Sequence, residues 1–328
     1  MKFLITGITG FAGPHLARLL LREGHTVCGL VRSSNGRQFD LLDTLSNKEL
    51  ETIEWVYGEL TNYPSLERIF KKYEFDGVFH LAAQSHPPTS FLAPISTFNT
   101  NVMGSLNLVT CVERHQKDCR FHFCSSSEVY GDICKETKIL KEDSRIEPAN
   151  PYGVSKAAID LYVQERIRNK FITGFVTRAF SHTGPRRGCT FSISSDAYQI
   201  ARMKLGLQDD KTLLIGNLET QRVVMDVRDC VRAYYLLMLQ KEAKGVYNVC
   251  GNNVHKMQFF TDELIRLSGI KNIVQKIHRP FYRPIDIQVQ IGDITRLTNI
   301  INWKTEVSLE KTLSDLLKYW IKKLKTKG

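Results

Sequence analysis

The 328-residue chain has no apolar run long enough to span a bilayer. Its eight cysteines (Cys28, Cys111, Cys119, Cys124, Cys134, Cys189, Cys230 and Cys250) form no Cys-x-x-Cys pair, and no His/Cys cluster has zinc-ligand spacing. Reduced cytoplasmic thiols packed as small apolar groups are therefore expected, with no metal and no membrane partner. The chain also lacks internal repeats and low-complexity linkers. Its net charge of +11 comes without any nucleic-acid motif. The lysines are spread along the chain, with one mild cluster at Lys318, Lys322, Lys323, Lys325 and Lys327. That distribution predicts a solvated basic surface and no nucleic-acid partner, and it suits a phosphate-bearing substrate. The opening Met1-Lys2-Phe3-Leu4-Ile5-Thr6 is similar to the start of a signal peptide, but it runs straight into Gly7-Ile8-Thr9-Gly10 and reads better as a core strand.

What is present is an α/β pattern. Short β-rich runs alternate with helical ones, the mark of βαβ units and a doubly wound parallel sheet of Rossmann type. Strands are expected at Lys2–Thr6, Thr26–Val31, Gly77–Leu81, Arg120–Ser125 and Gly174–Arg178, and helices at Pro14–Arg22 and Tyr152–Asn169. Beyond Ser181 the pattern becomes irregular, with helices expected at Ser194–Gly206, Met257–Ser268 and Leu309–Lys323 and a strand-then-helix at Val223–Gln240. We therefore expect a nucleotide-binding domain at 1–180, with about 222–250 and 287–300. A smaller α/β substrate-binding domain is expected at about 181–221, 251–286 and 301–328.

Gly7-x-x-Gly10-x-x-Gly13 sits between the first strand and a helix. Glycines there let backbone amides approach a pyrophosphate at the positive end of the helix dipole. Gly7, Thr9, Gly10, Phe11, Ala12 and Gly13 are the candidate cofactor contacts. After the second strand, Val31-Arg32-Ser33-Ser34 offers a guanidinium and no carboxylate. Arg32 and Ser33 thus favour the 2′-phosphate of NADP over the free ribose of NAD.

Tyr152 and Lys156 stand four residues apart in a segment that reads as helix, so they share a face. A lysine there favours the phenolate, and the tyrosine pKa is expected to fall. A tyrosine that exchanges a proton near neutral pH suits carbonyl/alcohol redox chemistry.

The glycine turn followed about 140 residues later by Tyr-x-x-x-Lys resembles the extended short-chain dehydrogenase/reductase family over almost the whole chain. The resemblance implies that Ser126, four residues before Tyr130-Gly131, hydrogen-bonds the sugar O4. It makes Tyr152 the acid/base at that oxygen and Lys156 the partner of the nicotinamide ribose. Asn101 matches the Asn that precedes a helix in the family. Cofactor contacts are further implied at Glu59, Leu60, Leu81, Ala82, Ala83 and Arg187. Glu128 stands where 4,6-dehydratases carry the base that removes the C5 proton, and where 4-epimerases carry a smaller neutral residue or Thr.

Several stretches look like the GDP-mannose 4,6-dehydratases: Ala83-Gln84-Ser85-His86 with Ser90-Phe91, Pro185–Phe191, Ile200–Leu207, Gly216-Asn217-Leu218, and Arg283-Pro284-x-Asp286. By that resemblance Lys204, Arg222 and Arg283 face the diphosphate or guanine ribose, and Asp286 faces the ribose hydroxyls. The same resemblance implies substrate contacts at Ser85, His86, Ser126, Ser127, Glu128 and Ser181. Four departures stand out: Ser181 in place of Asn, Val223-Val224 in place of Asp-Trp, Glu59 in place of Asp, and Pro87-Pro88-Thr89 in place of small β-branched residues. The reading is a GDP-mannose or GDP-manno-heptose type 4,6-dehydratase with NADP, acting as a homodimer or homotetramer. Three alternatives stay open: a GDP-4-keto-6-deoxy-sugar reductase, a nucleotide-sugar 4-epimerase, and an NADP-sensing regulatory protein.

Overall fold

The computed structural model describes residues 1–32, 41–137 and 139–326. Lys2–Thr6 (β1) has four of its five residues buried, as a strand covered on both faces requires. It lies in a seven-stranded sheet with Thr26–Val31 (β2), Glu54–Tyr57 (β3), Gly77–His80 (β4), Arg120–Ser126 (β5), Thr173–Ala179 (β6) and Gly245–Val249 (β7). The spatial order is β7-β6-β5-β4-β1-β2-β3, and every pairing is parallel. The chain reverses direction across the sheet between β1 and β4. In such sheets a crevice opens beyond the carboxyl ends of the strands at that point.

The two faces of the sheet are read out by alternation along each strand. Phe3 and Ile5 of β1 face Ala12–Arg22 (α1) and Val227–Leu239 (α6), packing with Leu16, Leu20, Val231 and Tyr234. Leu4 faces the other way. It shares a core with Leu66 of Tyr63–Lys72 (α2), Leu108 and Val112 of Gly104–His115 (α3), and Ile159 and Val163 of Pro151–Arg168 (α4). Each such side chain contributes about 1.5–3 kcal/mol on burial, so both faces hold their helices firmly.

A separate apolar cluster joins Ser192–Lys204 (α5), Met257–Ser268 (α7) and Leu309–Lys325 (α8) through Ile200, Phe260, Leu264, Leu316 and Trp320. Short strands at Thr212–Ile215 and Val274–Ile277 pair beside it. The expected strand-then-helix at 223–240 is two short strands, Gln221–Val223 and Met225–Asp226, leading into α6. α5 starts two residues earlier than expected because Phe191, in extended conformation, ends the preceding loop. No helix among the described residues is long and apolar enough to cross a membrane.

Candidate active site

A cleft of about 610 Å³ opens at the carboxyl ends of the strands, lined by residues of both halves of the fold. At one end lies the glycine turn. Gly7 has φ +75, which an L side chain resists, and a Cβ there would stand 2.8 Å from the Ala82 nitrogen. A Cβ on Gly13 would overlap the Gly7 carbonyl. α1 begins at Ala12 with no side-chain cap, so its first amides are left for another partner. Gly7, Gly10, Phe11, Ala12 and Gly13 line the cleft together with Leu81, Ala82 and Ala83. A backbone cradle without room for side chains, closed by an uncapped helix end, fits a dinucleotide pyrophosphate.

Thr9 does not line the cleft; its carbonyl accepts from Arg186 Nη2 at 3.4 Å. Arg186, held in the left-handed region at φ +74, also pairs with Asp43, which Lys323 of α8 reaches at 2.8 Å. This anchors the loop that presents Arg187. The Arg187 guanidinium lies 3.5 Å from the Phe191 ring centroid and 4.8 Å from that of Phe11. Burial pushes its pKa down to about 10.

The catalytic candidates gather where β5 ends and α4 begins. Ser126 ends β5, and its Oγ accepts from the Glu128 amide at 3.2 Å, starting the short 3₁₀ turn Ser127–Tyr130. Asn150 caps α4: its Oδ1 accepts from the Gly153 amide at 2.8 Å, and Pro151 takes the first helical position, where its missing N–H costs nothing. Tyr152 follows, 7% exposed, with its amide bonded to Ser90 Oγ at 3.0 Å and its side chain hydrogen-bonded to Ser126.

The expectation of a lowered tyrosine pKa is corrected here. Burial raises the Tyr152 pKa well above the usual phenol value, against a smaller opposing effect from the Ser126 hydrogen bond. Lys156 does share the helix face, but its ammonium donates to the Cys124 carbonyl at 2.6 Å and sits 4.7 Å over the Phe123 ring. Both partners belong to β5. The charge is thus held against the sheet, and burial lowers the Lys156 pKa as well. In this state Tyr152 is a neutral hydrogen-bonding phenol.

Glu128 projects into the same space. Asn150 Nδ2 donates to its Oε2 at 2.7 Å, and Arg283 approaches its Oε1 at 3.3 Å from the far wall. Asn150 therefore serves two elements at once, the cap of α4 and the carboxylate. Sequence reasoning missed that role: Asn-Pro before a helix signals the cap, but nothing in the 22-residue separation signals the contact with Glu128.

Ser85, His86, Ser127, Ser181, Arg222, Arg283 and Asp286 line the cleft as well. His86 meets the Phe191 ring edge-on at 5.3 Å, and burial first, then the nearby arginines, lower its pKa. The Arg222 side chain is spent largely on backbone, donating to the carbonyls of Ile287 (2.6 Å) and Gln221 (2.8 Å), with Asp286 at 3.8 Å. Asp286 accepts from Asn217 at 3.0 Å.

Besides Thr9, four of the expected contacts among the described residues are not brought into the cleft. Lys204 is the last residue of α5, and its ammonium binds the Ser268 carbonyl at the end of α7 at 2.8 Å, serving as a helix C-terminal cap. Glu59 is exposed, and Leu60 packs over Gly104. Arg32 is exposed at the end of β2, and Ser33 lies outside the described residues. Asp196 is a lining residue that sequence reasoning passed over, one acid in an ordinary helical stretch.

Comparison with known proteins agrees with this geometry. The sequence resembles a GDP-6-deoxy-D-mannose reductase of Pseudomonas aeruginosa, 32% identical over 321 residues and covering 97% of each chain. It is 31% identical over 320 residues to GDP-mannose 4,6 dehydratase 1 of Arabidopsis thaliana, covering 94% of this chain and 86% of the relative. The fold superposes on the solved structure of RMD from Pseudomonas aeruginosa complexed with NADPH with a TM-score of 0.82 at 29% identity, covering 98% of this chain and 99% of that one. The pattern of GDP-mannose 4,6 dehydratases matches residues 4–316, and the chain belongs to that family.

Proposed function

We propose that the protein is an NADP-dependent GDP-sugar 4,6-dehydratase, acting on GDP-mannose or a GDP-manno-heptose to give a 4-keto-6-deoxy sugar. The observation that carries the reading is Glu128, a carboxylate held by Asn150 beside Ser126 and Tyr152. NADP, when bound, would accept a hydride from C4 and return it at C6. The turn Gly7–Gly13 would hold its pyrophosphate, with Leu81–Ala83, Lys156 and Arg187 along it. A 2′-phosphate contact at Arg32 and Ser33 is part of the same reading.

In the loaded complex Tyr152 would enter the step as a phenolate, its own proton released to solvent. Ser126 and Tyr152 hold the O4 hydroxyl, and Tyr152 takes the O4 proton as C4 becomes a carbonyl. That carbonyl acidifies C5–H, and Glu128 removes the C5 proton. Glu128 then gives this proton to the C6 hydroxyl, which leaves as water. Tyr152 returns its proton to C5, so the sum is one sugar in, one keto sugar and one water out. Arg283, Arg222 and Asp286 would bind the nucleotide, with guanidinium groups matching phosphate oxygens. A nucleotide-binding unit of 1–180 plus about 222–250 and 287–300, with a substrate-binding unit from the remainder, is the domain division that goes with this reading.

The similarity to a GDP-6-deoxy-D-mannose reductase favours a second reading, reduction of a GDP-4-keto-6-deoxy sugar. The two differ in hydride accounting: the dehydratase consumes no net NADPH, and the reductase oxidises it stoichiometrically. Incubating the purified protein with GDP-, UDP-, CDP- and dTDP-sugars should show loss of water by mass spectrometry with a GDP-sugar. Glu128→Gln should still form the C4 ketone yet block exchange of C5–H with deuterated solvent. Unimpaired product formation by that variant would sink the dehydratase mechanism.

A homodimer or homotetramer is supported by an apolar surface at Leu92 (88% exposed), Ile95 (85%), Phe98 and Met103. Ile95→Arg should reduce the mass measured by light scattering if that surface joins copies. The free thiols, seven of them buried or half-buried, accord with a cytoplasmic location.

A further inference from the structure

Asp196 lies in α5, 5% exposed, on the wall of the cleft. Thr261 of α7 donates its hydroxyl to Asp196 Oδ2 at 2.7 Å. Among the described residues no cation pairs with the carboxylate, and Oδ1 receives no hydrogen bond. Burial dominates its surroundings and pushes its pKa up to about 7, with only Thr261 opposing. A buried carboxyl with half its acceptors idle is costly unless something else fills them.

Contacts along the wall lead from the chemistry toward this acid. Glu128 meets Arg283, and Arg222 lies beside Asp286, which holds Asn217. The next carbonyls, of Leu218 and Thr220, receive the amides of Gln258 and Met257 at 3.1 and 2.9 Å, where α7 starts. Thr261 is one turn further on. The lining there carries the apolar side chains of Ile193, Leu218, Val224 and Met257, with Ser194, Ser195, Thr220 and Asp196 beside them. An aromatic ring with donors along one edge fits such a wall.

Guanine alone among the common bases places two N–H donors side by side, at N1 and N2. Adenine and cytosine set one donor next to an acceptor, and uracil sets one N–H between two carbonyls. A carboxylate takes both guanine donors in one bidentate contact. We propose that Asp196 determines the base specificity of the cleft, its carboxylate receiving the N1–H and N2–H of guanine. The assignment rests on the nucleotide-sugar reading above and adds the residue that enforces the base.

Calorimetric titration of the full-length protein with GDP, IDP (which lacks the 2-amino group), 2′-deoxy-GDP and UDP tests it. The wild type should prefer GDP to IDP by roughly tenfold or more, the size of a good bidentate base contact. Asp196→Asn should remove that preference while leaving the GDP to 2′-deoxy-GDP ratio and the NADP affinity unchanged. Thr261→Val, which loses only the hydroxyl on Oδ2, should weaken the preference less. A wild type that prefers GDP, with the preference intact in Asp196→Asn, overturns the role of Asp196 alone. Collapse of the 2′-deoxy-GDP ratio instead would put a ribose there and also overturn it. A wild type that prefers UDP defeats the GDP reading and this assignment with it.

Discussion

Asp160 and Asp196 are both buried acids on long helices, and their surroundings differ in every other respect. Asp160, in α4, receives Arg178 Nε at 2.9 Å and Nη2 at 3.0 Å. Arg178 then donates to the Tyr130 hydroxyl at 3.0 Å and the Glu142 carbonyl at 2.9 Å, and Tyr130 donates to Asn248 at 2.8 Å. Burial opposes the Arg178 charge, yet Asp160 and Tyr130 hold its pKa above the usual value. This network ties the Ser127–Tyr130 turn, β6, β7 and α4 together behind the cleft, with both Asp160 oxygens engaged. Asp196 has one hydroxyl and an open face. In this molecule a completed polar network marks what holds the fold, and an incomplete one marks where a ligand is to arrive.

The comparison can be tested by removing one group at a time. The largest effect is expected from Tyr152→Phe: turnover should fall by roughly 10²–10⁴-fold, with nucleotide affinity and melting temperature unchanged. A parallel loss of stability would place Tyr152 with the structural network. Asp160→Asn should do the reverse, costing about 3–5 kcal/mol in urea denaturation because it leaves Arg178 buried and unpaired. Turnover per folded molecule should hold, and a pure activity loss would break the distinction.

Asn150→Ser keeps a helix-capping oxygen and loses the amide donor to Glu128. We expect kcat to drop about tenfold at constant KM, the scale of a hydrogen bond to a charged group. Full activity in this variant would make the Asn150–Glu128 contact incidental.

The smallest effect concerns pH. With its folded pKa raised to about 7 from an unfolded value near 3.8, Asp196 makes the native state bind more protons than the unfolded chain between those values. Stability therefore falls as pH rises through that window and stays penalised above it. Asp196→Asn should melt higher than wild type at pH 8, by an amount on the order of 1 kcal/mol or more, and the advantage should shrink toward pH 4. An advantage that does not change with pH would show that the carboxyl is not what titrates.

Much of this architecture is legible in the sequence because it is local. The Gly7–Gly13 turn needs only a strand before it and a helix after it, and the strands at 2–6 and 26–31 end where their apolar runs end. The pairing of Tyr152 with Lys156 follows from helical spacing, so the two do share a face. Spacing cannot say what else lies against that face. Lys156 is claimed by the Cys124 carbonyl of a strand more than 30 residues away, and the tyrosine pKa moves up instead of down. Lys204 shows the same limit: its place in a helix was readable, but its ammonium turns to the end of α7. Asn150 was legible as a cap, yet its second bond is created only when β5 and α4 are brought side by side. Asp196 left no local trace, because its meaning lies in the cations it lacks.

The contact between Arg283 and Glu128 spans the cleft. A diphosphate that recruits Arg283 must take it from the carboxylate, so the energy of that exchange is subtracted from nucleotide affinity. On the proposed mechanism the same exchange would free Glu128 only when a nucleotide is present. By thermodynamic reciprocity, whatever the ion pair costs in binding reappears as readiness of Glu128 in the complex. If Glu128 is the base and Arg283 binds the diphosphate, the pair would act as an interlock: Glu128 would be held in reserve, and a free sugar without the nucleotide handle would find it latched.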